Sequence, residues 1–486
     1  MGRSIAIVLV VWAAVYLPGL GLPEIKGEEG RRILPAVTML DTGNAAHGAR
    51  ELFRSYVVPM IGSEPYLRKP PLVNWLVAGS FKLFGARDEW TARLPSALCV
   101  LLVALAFVTV ARGALGRGAL WAAFAWLLNF GILEKGRLIE IEALYVSLFG
   151  LALICWLAFW QERRSPWLTW LIPAIFLGAG LLAKGPVHLL FFYSVVAAVL
   201  WRDRQLRALA HPTHFVGIMI MLGIFAAWAL PYLEMLRDTR VAGVWSRQFS
   251  GRVAGEDFQL NNWLLNIPRA VAYFLPWAAL LPFVRVNLLS DQRERALAKG
   301  VVWGTAIPFL VVNLLPGDLP RYSMPALVPA CWLVGVAVNA NAFAWRVRLG
   351  RWGMDFSSRL VWRVVGATAV VAAIGFPLAS CTVLKHREKV RNIARQIEAA
   401  LPATAEIYAV NPDFQPFLFY LQRKVIYVST VAQVPLEAEY VLVRAKLQQE
   451  IEESPRWAPR HATPATRVTD YRKVTVVLLH IAVDPG

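Results

Sequence analysis

Long apolar runs, broken by short clusters of arginine and proline, recur from the N-terminus to about residue 385. A transmembrane helix needs about 20 predominantly apolar residues. Runs that approach or reach that length lie near 5–22, 94–111, 118–133, 142–160, 167–183, 185–201, 215–233, 270–289, 300–315, 322–340 and 361–383. The pattern predicts about eleven spans. The run at 5–22 has no small-residue cleavage site and many spans follow it, so it reads as the first membrane helix rather than a signal peptide. Residues 71–84 are apolar but short, start at Pro70-Pro71 and carry Lys82. With Trp75 and Phe81 suited to the headgroup layer, that segment is predicted to lie in the interface.

Beyond residue 386 the period changes. Residues 390–401 have helical spacing, 406–410, 425–429 and 440–444 read as short strands, 446–453 as a helix and 474–483 as a final strand. The predicted architecture is an α-helical polytopic membrane domain over 1–385, followed by a small soluble α/β domain over 386–486.

Composition agrees with the pattern. Hydrophobic residues make up 57% of the chain and charged residues 17%, far more apolar than a soluble protein requires. The formal net charge of +18 lies mostly in short loops without a basic-aromatic module that reads bases, which excludes nucleic acid as the expected partner. If the N-terminus is cytoplasmic, the loops at 112–117, 161–165, 202–207, 285–299 and 346–363 face inward, each with at least two arginines. The other face then holds 23–93, 134–141, 184–186, 234–269, 316–321 and the C-terminal domain. Cys99, Cys155, Cys331 and Cys381 are scattered through apolar stretches without metal-ligand spacing, so neither a disulfide nor a metal site is expected from them.

The candidate chemistry lies on that second face. Glu28, Glu29, Lys69, Arg137, Glu140, Glu142, Lys184 and Arg321 all stand where apolar runs begin or end. Ionised groups beside hydrocarbon are costly unless paired or lining a wet cavity, so their gathering on one face marks a functional site. Each also has a plainer role. Glu28 or Glu29 suits the first turn of a helix, lysines at span ends snorkel, and Arg137 with Glu142 forms a loop ion pair. The 234–269 loop mixes arginines, including Arg247, with Trp245, Phe249 and Phe258, and its glycines permit a lid to move.

Several motifs carry a resemblance. Gly27-Glu28-Glu29-Gly30-Arg31-Arg32 after the first span resembles the acidic pair in the first outer loop of the C-fold (GT-C) glycosyltransferases. Tyr66-Leu67-Arg68-Lys69-Pro70-Pro71-Leu72 resembles the Lys-Pro-Pro-Leu element of the branch that contains aminoarabinose transferase of lipid A and the protein O-mannosyltransferases. Phe84-Gly85, Arg93-Leu94-Pro95-Ser96, Leu182-Ala183-Lys184-Gly185-Pro186 and Arg321-Tyr322-Ser323-Met324-Pro325 follow in family order. The ordered set over residues 1 to 340 is more specific than any one motif.

The resemblance implies a GT-C fold of about 11 to 13 transmembrane helices plus juxtamembrane helices. It also implies transfer of one sugar from a polyprenyl-phosphate (undecaprenyl-phosphate) donor to an acceptor, with lipid A or another envelope lipid or glycan expected. The place is the periplasmic face of the bacterial inner membrane. Glu28 corresponds to the family's catalytic acidic position, with Glu29 beside it and Glu142 in the second conserved loop. Lys69, Arg137, Lys184, Arg321 and Tyr322 are the donor-phosphate candidates, while Tyr66, Arg68, Trp245 and Arg247 are candidates for substrate and lid contacts. Such a site needs a carboxylate near the acceptor and cations around the departing phosphate.

The chain departs from the branch in two ways. Arg68 stands where aminoarabinose transferases have a metal-associated glutamate, and the 234–269 loop has no histidine, so metal-independent catalysis without a cofactor is expected. His47 is expected at the surface. Glutamates at 28 and 142 replace the more usual aspartates. A membrane transporter or flippase would also put charges at helix ends but predicts internal repeats and charge on both faces. A non-catalytic scaffold would have no use for the acidic and basic motifs together.

Overall fold

The computed structural model describes residues 1–61, 64–236, 243, 258–317, 319–349, 352–412, 415–457, 460–469 and 473–483. The chain forms two compact units, each assembled from separated stretches. Met1–Leu20, Leu67–Val73 and Arg93–Ala379 make the first, and Gly21–Tyr66, Asn74–Ala92 and Ser380–Gly486 make the second.

The chain is a multi-pass integral membrane protein. Among the described residues, seven helices are long and apolar enough to cross a membrane, including Glu89–Thr109, Ile141–Gln161, Pro166–Ala183, Pro212–Leu236 and Gln292–Leu314. Shorter apolar helices occupy Gly2–Tyr16, Leu72–Phe84, Gly118–Leu127 and Val187–Arg202. Two expected spans differ in detail. At 118–133 the helix stops at Leu127, because the Asn129 side chain donates to the carbonyls of Ala125 and Trp126 and accepts from Ile132 N, capping a new helix, Phe130–Lys135. At 270–289 no single helix forms: Asn266–Ala272 is followed by 3-10 segments at Trp277–Phe283 and Val286–Leu288. Pro276 and Pro282 interrupt this apolar run, since each lacks a backbone donor and its ring clashes with the turn before it.

Close helix packing in the first unit depends on small residues. A side-chain carbon at Gly300 would come within 2.5 Å of Val199, and one at Gly304 within 2.4 Å of Val195, so the helices Val187–Arg202 and Gln292–Leu314 meet backbone to backbone. A side-chain carbon at Gly118 would come still closer, 1.9 Å from the Gly335 carbonyl oxygen. Three buried aromatic tips find partners: Trp12 Nε1 donates to Ala97 O at 2.8 Å, Tyr16 Oη to Leu127 O at 2.8 Å, and Trp126 Nε1 to Val100 O at 2.9 Å. Arg93, fully buried, donates to Leu20 O at 2.9 Å.

The second unit contains the helices Gly30–Asn44 and Ala49–Val57 and a five-stranded mixed sheet. Across the sheet the strands run Val425–Val428, Ile407–Val410, Tyr440–Arg444, Thr475–Val483 and Arg460–Thr469. The first two pairings are parallel and the last two antiparallel. Val441, Val477, Leu479 and Ile481 form its dry centre. Helices Lys389–Ala399 and Ala445–Glu452 arise where helical periodicity was expected. Within this unit residues 21–66 are fastened to the C-terminal segment. Glu24 Oε2 accepts from Val390 N at 2.8 Å and Arg391 N at 3.2 Å, filling the open donors at a helix start.

Candidate active site

Within the first unit, three elements bring together four of the residues singled out from sequence. Glu142 lies in the first turn of Ile141–Gln161, Lys184 follows Pro166–Ala183, and Arg321 with Tyr322 opens the 3-10 turn Pro320–Ala326. Glu142 Oε1 is 3.3 Å from Lys184 Nζ and 3.5 Å from Arg321 Nε. Lys184 Nζ also stands 4.4 Å from the centre of the Tyr322 ring and 5.1 Å from that of Tyr145, so aromatic faces share its charge. Its position depends on Gly185, whose φ of 141° is open to glycine but strained for other residues. The Tyr145 hydroxyl accepts from His188 N and lies 3.4 Å from Gly185 O, fixing the same turn.

The lysine and Glu142 are largely buried, whereas the Arg321 side chain keeps 29% of its exposure. One carboxylate against two cations leaves this trio with a single positive charge. That is an electrostatic setting suited to a phosphate, provided the cations can hold their geometry.

A second cluster of charges adjoins the start of Ile141–Gln161. Lys135 Nζ lies 3.0 Å from both Glu134 and Glu140. Burial disfavours its charge, yet Glu140 and Glu134 outweigh burial and raise its pKa above the ordinary lysine value. Tyr273 interacts electrostatically with Lys135, Glu134, Arg321 and Glu142, and burial foremost pushes its hydroxyl pKa up. It reaches this place because its carbonyl accepts from Gly131 N at 2.8 Å, where any larger residue than glycine would collide with its side chain. The Arg137 guanidinium donates to the carbonyls of Val15 and Pro18, closing the end of the first helix.

In the second unit, Arg31 Nη1 is 3.0 Å from each carboxylate oxygen of Glu28, a pairing one helical turn apart, and Glu28 remains partly exposed. Glu29 is buried, and its Oε2 accepts from Lys26 N at 3.2 Å. Buried Arg32 donates to the Tyr66 hydroxyl at 2.6 Å, while Asn74 Nδ2 holds the Arg32 carbonyl at 2.8 Å. Tyr66 therefore orients a motif arginine. In the stretch Leu67–Val73 of the first unit, Lys69 is half-buried and Arg68 exposed, immediately before the Pro70-Pro71 pair. His47 is exposed. Trp245 and Arg247 lie outside the described residues.

Sequence reasoning missed Tyr145, Tyr273 and Lys135. Tyr145 could have been found, since it sits one turn beyond Glu142 on the same helix.

The family described as dolichyl-phosphate-mannose-protein mannosyltransferase matches residues 68–230. An undecaprenyl phosphate-alpha-4-amino-4-deoxy-L-arabinose arabinosyl transferase of Pseudomonas fluorescens is 26% identical over 326 residues, covering 66% of this chain and 54% of that protein. Its counterpart in Pseudomonas aeruginosa is 27% identical over 297 residues, covering 59% and 51%. The chain thus spans about half the length of the curated relatives it matches. In three dimensions it is similar to ArnT from Cupriavidus metallidurans. The apo crystal structure gives a TM-score of 0.68 at 18% identity over 98% of this chain and 97% of the other, and the form bound to undecaprenyl phosphate gives 0.67 at 17% over the same shares. The chain is C-fold in architecture and aminoarabinose-transferase-like in sequence.

Proposed function

We propose that this C-fold, aminoarabinose-transferase-like chain transfers a single sugar from a polyprenyl-phosphate donor to a lipid or glycan acceptor, lipid A being the acceptor the resemblance implies. The observation that carries the reading is the Glu142, Lys184 and Arg321 trio. Breaking the bond between an anomeric carbon and a lipid phosphate leaves negative charge on the phosphate oxygens, and preorganised cations stabilise that charge where it develops. Glu142 holds both cations at 3.3 and 3.5 Å without cancelling their combined charge. Tyr322, packed under Lys184, keeps the ammonium directed.

Lys69 is the further donor-phosphate candidate. Glu28 is the candidate carboxylate for taking or orienting the acceptor proton, and its partial exposure leaves it reachable. Catalysis is proposed to need no metal, so turnover should survive a chelator. Arginine-bearing loops such as 161–165 and 202–207 are assigned to the cytoplasm, which places the trio on the periplasmic face of a bacterial inner membrane.

The test is sugar release from a panel of polyprenyl-phosphate sugars by protein purified into lipid, comparing wild type with Glu28→Gln, Lys69→Ala and Arg321→Ala. Wild-type turnover with at least tenfold loss in folded Glu28→Gln and Arg321→Ala supports the reading. Equal turnover in all variants rejects the assigned residues.

A further inference from the structure

The helix Ile141–Gln161 has Glu142 at one end, and at its other end a crevice of about 1680 Å³ opens. The crevice forms where Ile141–Gln161 and Val187–Arg202 stop and Pro166–Ala183 and Gln292–Leu314 start. Arg163, Arg164, Arg202, Arg204, Arg207 and Arg293 line it, against Asp203 and Asp291. Both acids already have partners. Asp203 Oδ2 accepts from Trp160 Nε1 at 3.2 Å and faces Arg293 Nε at 3.8 Å, while Asp291 caps Arg293 N and Glu294 N. The surplus charge is positive.

Two of these arginines occupy an unusual backbone position. Arg163 has φ 54° and Arg204 φ 57°. Each is the left-handed residue of a helix stop: Arg164 N donates to Phe159 O and Gln205 N to Leu200 O, both at 2.8 Å. Glycine is the usual occupant, because a side chain there is strained. Membrane orientation does not demand the strain, since arginines at unstrained loop positions, such as Arg164, Arg202 and Arg207, serve that purpose. Nor does the negative end of a helix dipole. Arg202 already lies in one last turn, and Arg293 Nη2 donates to Trp160 O at the end of the other. Trp201 and Leu206, both strongly exposed, line the same crevice, so its occupant has an apolar body beside its charge.

We propose that this crevice binds the phosphate head of an anionic phospholipid, with Arg163 and Arg204 as its paired contacts. On the orientation proposed above, the lipid belongs to the cytoplasmic leaflet. Binding is read without sugar transfer, so its failure and failure of the transferase reading are separate results.

The experiment compares melting of the purified full chain in neutral detergent with added phosphatidylglycerol, phosphatidylcholine or inorganic phosphate. Phosphatidylglycerol should raise the wild-type melting temperature by a few degrees, and the other two should not. The double variant Arg163→Gly/Arg204→Gly should melt at or above wild type without lipid, because glycine relaxes both turns, and should lose at least half of the lipid-dependent rise. Arg163→Asn/Arg204→Asn, which also tolerates the left-handed region, should lose it too. An undiminished rise in both variants overturns the proposal, as does an equal rise with phosphatidylcholine. A full rise with inorganic phosphate alone assigns the crevice to a soluble anion and overturns the lipid.

Discussion

Glu142 holds Lys184 and Arg321 on one carboxylate oxygen, so the two cations depend on it differently from how a substrate would depend on them. Replacing Glu142 by leucine leaves two cations in a largely buried setting, and loss of one partner of a buried pair costs about 3 kcal/mol. Glu142→Leu should therefore lower the melting temperature clearly. Lys184→Met keeps the pairing of Glu142 with Arg321 and leaves no cation behind, so it should lower the melting temperature less than Glu142→Leu does. Its apparent KM for the polyprenyl-phosphate donor should nevertheless rise about tenfold, the equivalent of about 1.4 kcal/mol. An unchanged KM would remove the lysine from phosphate binding. These charged residues were legible in the sequence because they interrupt apolar runs. Lys135 was not, since Glu134-Lys135 resembles any solvated loop, nor was Tyr273, whose place is set by a backbone bond to Gly131 from a distant stretch.

Elements built on helical or alternating periodicity were legible, and those set by distant partners were not. The strand Arg460–Thr469 is mostly exposed, contains Pro464 and carries a register shift between Pro464 and Thr466, so no apolar alternation announces it. It forms because Thr475–Val483 offers an unpaired edge. The run at 270–289 failed in the opposite sense: its hydropathy suits a span, while its prolines forbid a continuous ladder. Small residues were visible as letters but not as contacts. Gly304→Leu should force Val187–Arg202 and Gln292–Leu314 apart, because the first added carbon already lies 2.4 Å from Val195. Overpacking of this kind costs about 1–3 kcal/mol or more, to be read as a lower melting temperature in detergent. Gly185→Ala tests a different element property. It meets no neighbour within 4 Å, yet its φ of 141° disfavours any side chain. It should lower donor affinity through a displaced Lys184 while leaving the bundle folded, with KM and melting measured on the same preparation.

At the scale of the molecule, the chain order hides how the second unit is made. Composition marks the change from apolar bundle to sheet near residue 386, but residues 21–66 and 74–92 belong with the sheet. The link is a polar clasp that no local pattern reveals. Buried Glu89 accepts from Tyr420 Oη at 2.7 Å and pairs with Arg391, and Tyr420 Oη in turn accepts from Ile25 N at 2.6 Å. Three remote stretches therefore meet at one carboxylate. Hydrogen bonds to a charged group contribute about 1.5–3 kcal/mol each, so Glu89→Leu should loosen the segment around residues 380–389 and speed its cleavage by a protease. Alkaline pH should act on the same clasp. Burial foremost, and then the Glu89 carboxylate, raise the pKa of Tyr420 above its ordinary value of 10.0. A raised pKa in the folded state means that the stability it contributes is complete below pH 10 and is lost as pH climbs through the folded value. The ionised phenolate could no longer donate to Glu89 and would repel it. Protease resistance of this segment should be constant from pH 7 to about 10 and fall above that. Tyr420→Phe, which has no proton to lose, should start less resistant and show a flatter dependence. A wild-type profile as flat as that of Tyr420→Phe would show that the hydroxyl does not hold the clasp.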